Sequence, residues 1–98
     1  MEIKRIVRMT FQKEKIEDFL KMFNERKLRI RNFPGCLHLE LWQDKKETNA
    51  FFTYSIWESE EALNHYRFSE FFKETWSITK TYFNNKPEAW TIEMYDTV

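Results

Sequence analysis

Two histidines, one cysteine and eighteen aromatic rings are the side chains from which this sequence could build chemistry. His65 is the acid/base candidate, because an imidazole titrates at about 6.5 and can exchange a proton near neutrality. It follows a short helical segment, where it could reach a pocket mouth or instead cap the helix end. His38 falls opposite three leucines, a position that suits a hydrogen-bonded interface residue. Cys36 follows a turn with no basic neighbour in sequence, so nothing marks it as an activated thiolate. Two histidines without an i, i+4 pair and a lone cysteine make no recognisable metal site. A single glycine, Gly35, leaves no glycine-rich phosphate loop and excludes Rossmann and P-loop nucleotide sites. Trp57 ends a strand, and Phe23, Phe72, Trp76 and Tyr82 lie on helix faces. Such rings fill a core or, where a space is left between them, stack on a flat molecule.

The elements that position these groups must fit in 98 residues, room for one domain over 1–98. Sixteen basic and sixteen acidic side chains cancel, so neither a general nucleic-acid binder nor an acidic tail is expected. One Gly and two Pro exclude collagen-like, linker-rich and turn-dense all-β chains. One Cys excludes an intramolecular disulfide and fits a reducing cytoplasm. No run reaches the ~18 apolar residues of a membrane span, and Met1-Glu2-Ile3-Lys4-Arg5 opens no secretory signal. A cytoplasmic protein is expected.

The periodicity alternates between types. Ile3 to Phe11 is rich in β-branched residues and too short for an amphipathic helix, which predicts a strand. Ile3, Arg5, Val7, Met9 and Phe11 share one of its faces. From Lys13 to about Arg31 the apolar residues Ile16, Phe19, Leu20, Phe23, Leu28 and Ile30 recur at helical spacing. Asn32-Phe33-Pro34-Gly35 stops that helix. Cys36 to Gln43 alternates, with Leu37, Leu39 and Leu41 opposite Cys36, His38, Glu40 and Trp42, and a polar turn leads to a third strand over Ala50–Trp57. Ser59 and Ser69 sit as N-caps of a short helix and a longer one. Glu88 to Tyr95 reads as a last strand with Trp90, Ile92 and Met94 aligned. The order is β-α-β-β-α-β with the second helix broken, an α+β, ferredoxin-like arrangement.

Helices in this arrangement cover one face of an antiparallel sheet, so the other should be polar at every second residue. The third strand is instead apolar on much of both faces, with Phe51 and Trp57 on one and Phe52, Tyr54 and Ile56 on the other. An exposed patch of that kind is covered most simply by a second copy packed sheet to sheet. The sequence therefore predicts a homodimer through the open sheet face.

Phe33-Pro34-Gly35-Cys36-Leu37, the stretch Tyr54-Ser55-Ile56-Trp57-Glu58-Ser59-Glu60-Glu61-Ala62-Leu63, and then His65, Ser69 and Phe72 together resemble the antibiotic biosynthesis monooxygenase family. The resemblance spans nearly the whole chain. It implies a dimeric α+β barrel with a pocket in each subunit between sheet and helices. It also implies cofactor-independent oxidation of a phenol or quinol by dioxygen. In that setting Trp57 would be a stacking wall offering its N–H, and His65 the base or hydrogen-bond partner of a small aromatic molecule. Val7, Phe23, Phe72, Trp76 and Tyr82 would line the pocket. The alternative within the same fold is a non-catalytic binding protein. The haem-degrading branch fits poorly: Trp57 matches its tryptophan, but Val7 stands at its asparagine position and Trp76 at that of its iron-ligating histidine. An indole N–H only donates and cannot ligate iron. Neither cofactor nor metal is expected.

Overall fold

The computed structural model covers residues 1–98. Four strands, β1 (Ile3–Thr10), β2 (Cys36–Gln43), β3 (Ala50–Trp57) and β4 (Glu88–Ile92), form one antiparallel sheet in the order β2-β3-β1-β4. Between β1 and β2 lies α1 (Ile16–Arg31), entered through a 3-10 turn at Lys13–Lys15. Between β3 and β4 lie α2 (Glu60–Arg67) and α3 (Glu70–Lys80). This is the ferredoxin-like α+β order expected from the sequence, broken second helix included.

The break between α2 and α3 has a local cause. Ser59 Oγ accepts from the Ala62 amide at 3.0 Å, and Ser69 Oγ accepts from the Phe72 amide at 3.1 Å. Each serine satisfies an amide that a helix start would otherwise leave unpaired. Ser69 also donates to the Tyr66 carbonyl at 2.6 Å, so one side chain closes α2 and opens α3.

Strand pairing sets the two faces. Val7, Met9, Thr53, Ser55 and Trp57 point toward the helices, while Ile6, Phe52, Tyr54 and Ile56 point to the open face. One expectation fails on β2. The register shifts between Cys36 and His38, so Cys36 pairs with Trp57 while His38 pairs with Ile56. The bulge turns Leu37 outward, 41% exposed, and brings Cys36 into the helix-side core at 6%. Strict alternation cannot foresee an inserted residue, because a single slip reverses every side chain beyond it. Two further boundaries differ: α3 stops at Lys80 rather than reaching Phe83, and β4 stops at Ile92 rather than Tyr95. Phe83 instead pairs in a single bridge with Phe11.

The core is two aromatic-rich clusters on the helix side. One gathers Ile3, Ile30, Cys36, Trp57, Leu63, Tyr66 and Phe71; the other Met9, Phe11, Phe19, Met22 and Phe51. Phe11 is wholly buried and stacks on Phe19 with centroids 4.2 Å apart. The opposite sheet face has no helix over it. There Trp42 stacks on Tyr54 at 4.9 Å, and Trp90 and Ile92 of β4 stand beside Ile6 and Lys4 of β1. Trp42, Trp90 and Ile92 each remain about 40% exposed on this face.

The turn between α1 and β2 is held by Gly35, whose φ of +87° lies in the left-handed region. Its carbonyl accepts from the Glu58 amide at 2.9 Å, tying the turn to the end of β3. A Cβ at this position would stand 2.5 Å from Ala62 Cβ, so backbone must move to admit it. Gly35→Ala is expected to destabilise the fold by about 2 kcal/mol or more, from left-handed strain plus overpacking. A urea unfolding midpoint indistinguishable from that of the parent chain would contradict this reading of the turn.

Candidate functional site

Between the helix-side face of the sheet and the three helices lies a cavity of about 300 Å³. It touches both core clusters, and fourteen of its twenty-three lining residues are hydrophobic. A space of this size suits a small molecule of two or three fused rings, the lower end of ordinary ligand pockets. Val7, Met9, Thr53, Ser55 and Trp57 form its floor on β1 and β3. Phe68, Glu88 and Ala89 are the exposed lining residues and mark its opening, between the α2–α3 link and the start of β4.

One wall is a continuous run of rings. Trp57 stacks on Tyr66 with centroids 4.9 Å apart, Phe72 meets Tyr66 edge-on at 5.0 Å, and Phe72 stacks on Trp76 at 6.0 Å. The spacing of Phe72 and Trp76, four residues or about one turn apart on α3, puts both rings on one helix face. Trp57 is 1% exposed, and its indole Nε1–H donates to Ser55 Oγ at 3.0 Å. Burial, with the Cys36 thiol nearby, pushes the Tyr66 phenol above its ordinary range, so it remains protonated. Burial likewise raises the Cys36 thiol, in keeping with a packed rather than an activated cysteine.

The polar lining is basic. Arg26 is spoken for: it donates to Thr75 Oγ1 at 2.9 Å and to Glu74 Oε1 at 3.0 Å. Arg5 donates to Thr91 Oγ1 at 2.7 Å and meets no carboxylate within ion-pair distance, nor does Arg67. Burial and the Arg67 charge lower the Arg5 pKa, yet a guanidinium titrates so high that it stays charged at neutral pH.

Comparison with known proteins assigns this architecture. The sequence model of the antibiotic biosynthesis monooxygenase family matches residues 3–76. The chain belongs to that family. No curated protein matches the sequence. Solved structures share the fold at low identity. A conserved protein from Methanosarcina mazei Go1 superposes with a TM-score of 0.88 at 16% identity, over 93% of this chain and 90% of that one. A crystal structure of an antibiotic biosynthesis monooxygenase gives 0.89 at 20%, over 96% and 99%. A variant of SnoaB, a cofactor-independent oxygenase from Streptomyces nogalater, gives 0.86 at 14%, over 99% and 96%. The family match covers β1 through most of α3 and so includes nearly all of the cavity wall.

Five of the seven site residues expected from the sequence meet at this monooxygenase-family cavity: Val7, Phe23, Trp57, Phe72 and Trp76. Two do not. His65 lies in the last turn of α2, exposed, with its ring edge-on to Phe33 at 6.2 Å, in a surface depression with Pro34 and Glu58. Residues 63, 66 and 67 of α2 face the cavity, and the helical period turns 65 away. Tyr82 is drawn off by the chain after α3: its carbonyl accepts from the Gln12 amide at 2.9 Å, fixing it beyond the far end of β1. The expected role of the Trp57 N–H changes too, since Ser55 occupies it.

Sequence reasoning missed Arg5, Ser55, Tyr66 and Arg67. Arg5 carried a signal, a lone charge on the apolar face of the first strand. Arg67 carried a fainter one, four residues after buried Leu63 on the same helix face. The Ser55–Trp57 bond makes a direct expectation. Ser55→Ala leaves a buried indole N–H unpaired and should cost about 1–3 kcal/mol. In the Trp57→Phe background the same substitution should cost much less. Equal losses in the two backgrounds, measured by urea unfolding, would show that the bond contributes nothing.

Proposed function

We propose that this chain is a small cofactor-independent monooxygenase that takes a planar phenol or quinol into the sheet–helix cavity. The observation that carries the reading is the run of rings Trp57, Tyr66, Phe72 and Trp76 along one wall of an otherwise apolar space. Aromatic walls bind flat molecules by offset stacking and exclude water from them. Val7 and Phe23 complete the apolar surround. In the reaction a ring C–H para to a hydroxyl becomes a carbonyl, giving a quinone, and the second oxygen atom of dioxygen leaves as water. The substrate supplies all four electrons, so the protein's part is to bind, orient and favour ionisation. The phenolate is the electron-rich form that dioxygen oxidises, and the positive field of Arg5 and Arg67 favours that anion.

His65 is not needed for this chemistry from where it stands. Titration of tryptophan fluorescence with 1,4-naphthohydroquinone under nitrogen is expected to show saturable quenching, and 1-naphthol, whose C4–H stands para to its hydroxyl, is expected to give protein-dependent oxygen uptake and 1,4-naphthoquinone in air. Trp76→Ala should weaken binding about tenfold through lost stacking and packing. His65→Ala should leave both binding and turnover unchanged. Saturable binding without oxygen uptake would support the non-catalytic binding protein of the same fold instead. Loss of turnover in His65→Ala would return the proton transfer to that residue.

We also propose that two copies pack through the open sheet face. Trp42, Tyr54, Phe52, Ile56, Trp90 and Ile92 leave there an apolar surface that a second copy would cover symmetrically. Light scattering should then give about 25 kDa, twice the 12.3 kDa chain. Trp42→Glu should shift the mass toward 12 kDa by placing a charge in the buried interface. A parent chain near 12 kDa at micromolar concentration would overturn the pairing.

A further inference from the structure

The cavity holds more positive charge than its own walls neutralise. Arg5, Arg26 and Arg67 all line it, against one acidic residue, Glu88. Arg26 is paired with Glu74. Glu88 sits on β4 opposite Arg8, a residue of the open face, and its nearest cation is Arg8 at 4.0 Å. Arg5 and Arg67 are therefore left without a carboxylate, beside an apolar space and next to each other's field.

Their surroundings make this a built arrangement and not two stray surface cations. Arg5 projects from the middle of the sheet, paired on one side with Ser55 and on the other with Thr91. Thr91 Oγ1 takes one Nη1 proton at 2.7 Å and so fixes the fork, leaving its other donors free. Ser55 Oγ already accepts from Trp57, which leaves the serine O–H as a further donor on the cavity floor. Arg67 reaches the cavity from the end of α2, beside Phe68 at the opening, with only a 3.4 Å contact to Asn64 Oδ1. Two guanidinium groups and a hydroxyl at one end of a ring-lined space exceed what a single phenolate oxygen can accept. They match the two oxygens of a carboxylate, which guanidinium forks bind bidentately.

We infer that the natural ligand of this cavity is an aromatic carboxylic acid, its rings along the Trp57–Trp76 wall and its carboxylate held by Arg5, Arg67 and the floor hydroxyl of Ser55. The inference rests on the proposal that the cavity is the ligand site, and it adds the charged group that fixes which way the ligand enters. A carboxylate there also cancels the repulsion between the two cations, a coupling that a neutral ligand cannot provide.

The test compares 2-naphthoate with its neutral counterpart 2-naphthamide, by tryptophan quenching and calorimetry on the parent chain at pH 7. The carboxylate should bind about ten- to a hundredfold more tightly, the range of a charge-assisted bidentate contact. Arg67→Gln lies on a helix surface and Arg5→Lys keeps the sheet charge, so both are compatible with folding, checked by circular dichroism. Each should reduce 2-naphthoate affinity about tenfold or more and leave 2-naphthamide binding within about twofold. Equal affinities for the two compounds on the parent chain would overturn the carboxylate inference while leaving the cavity as the ligand site. A preference for the acid that survives both substitutions would overturn the role of the arginines. Failure of both compounds to bind would overturn the inference together with the reading of the cavity beneath it.

Discussion

Trp57 is the joint on which this small fold turns. It ends β3, the inner strand between β2 and β1, and is paired on one side with Ile3 and on the other with Cys36. Its ring face lies on Tyr66 of α2, and its N–H is given to Ser55 two residues back on the same strand face. A nearly fully buried indole with an unsatisfied N–H would be costly. Once satisfied, it is a large rigid plate that fixes the distance between sheet and helix. That spacing keeps a cavity open in a chain that otherwise has enough phenylalanine to fill itself. Leu63 and Tyr66 pack against this plate, the Ser69 cap turns the chain directly after them, and α3 is thereby aimed so that Phe72 and Trp76 extend the wall.

The same arrangement separates two kinds of apolar surface. On the helix side the rings enclose a space reachable past Phe68 and β4. On the open side Trp42 and Trp90 remain about 40% exposed, and polar groups there are tied to one another: Glu40 pairs with His38 and accepts from Trp42 at 2.7 Å. Those hydrogen bonds hold the Glu40 carboxyl below its ordinary range. The sheet thus has one arginine-bearing face turned to an enclosed space and one ring-studded face without helices over it. The two proposals, a small-molecule site and a pairing surface, rest on different faces.

Much of this was legible in the residues. Period 2 in the strands and period 3.6 in the helices, with serines before acidic residues, placed every element and both caps within a few positions. Val7, Trp57, Phe72 and Trp76 frame the cavity because strand alternation and an i, i+4 step on α3 are strict geometric rules. What stayed hidden depended on departures from those rules. The bulge at Leu37 reverses Cys36, and nothing in Cys36-Leu37-His38 announces it. The fate of the Trp57 N–H was set by a partner two residues away whose hydroxyl looked like an ordinary strand serine. His65 drew notice for its chemistry, but whether it faced inward turned on the phase of an eight-residue helix, where a 100° error points a side chain out. Arg5 shows the reverse: its chemistry was on view as a charge amid an apolar strand face, and only its lack of a partner gives it meaning.

The central claim is that the helix-side cavity, not the open sheet face, receives the ligand. The four tryptophans divide cleanly between the two, with Trp57 and Trp76 lining the cavity and Trp42 and Trp90 on the open face. A ¹⁵N-edited NMR titration of the four indole N–H signals with 1,4-naphthohydroquinone under nitrogen, assigned by single Trp→Phe variants, reads both faces at once. Saturable shifts of the Trp57 and Trp76 signals with Trp42 and Trp90 unmoved are the expected result. Shifts confined to Trp42 and Trp90, or none at all, would contradict it.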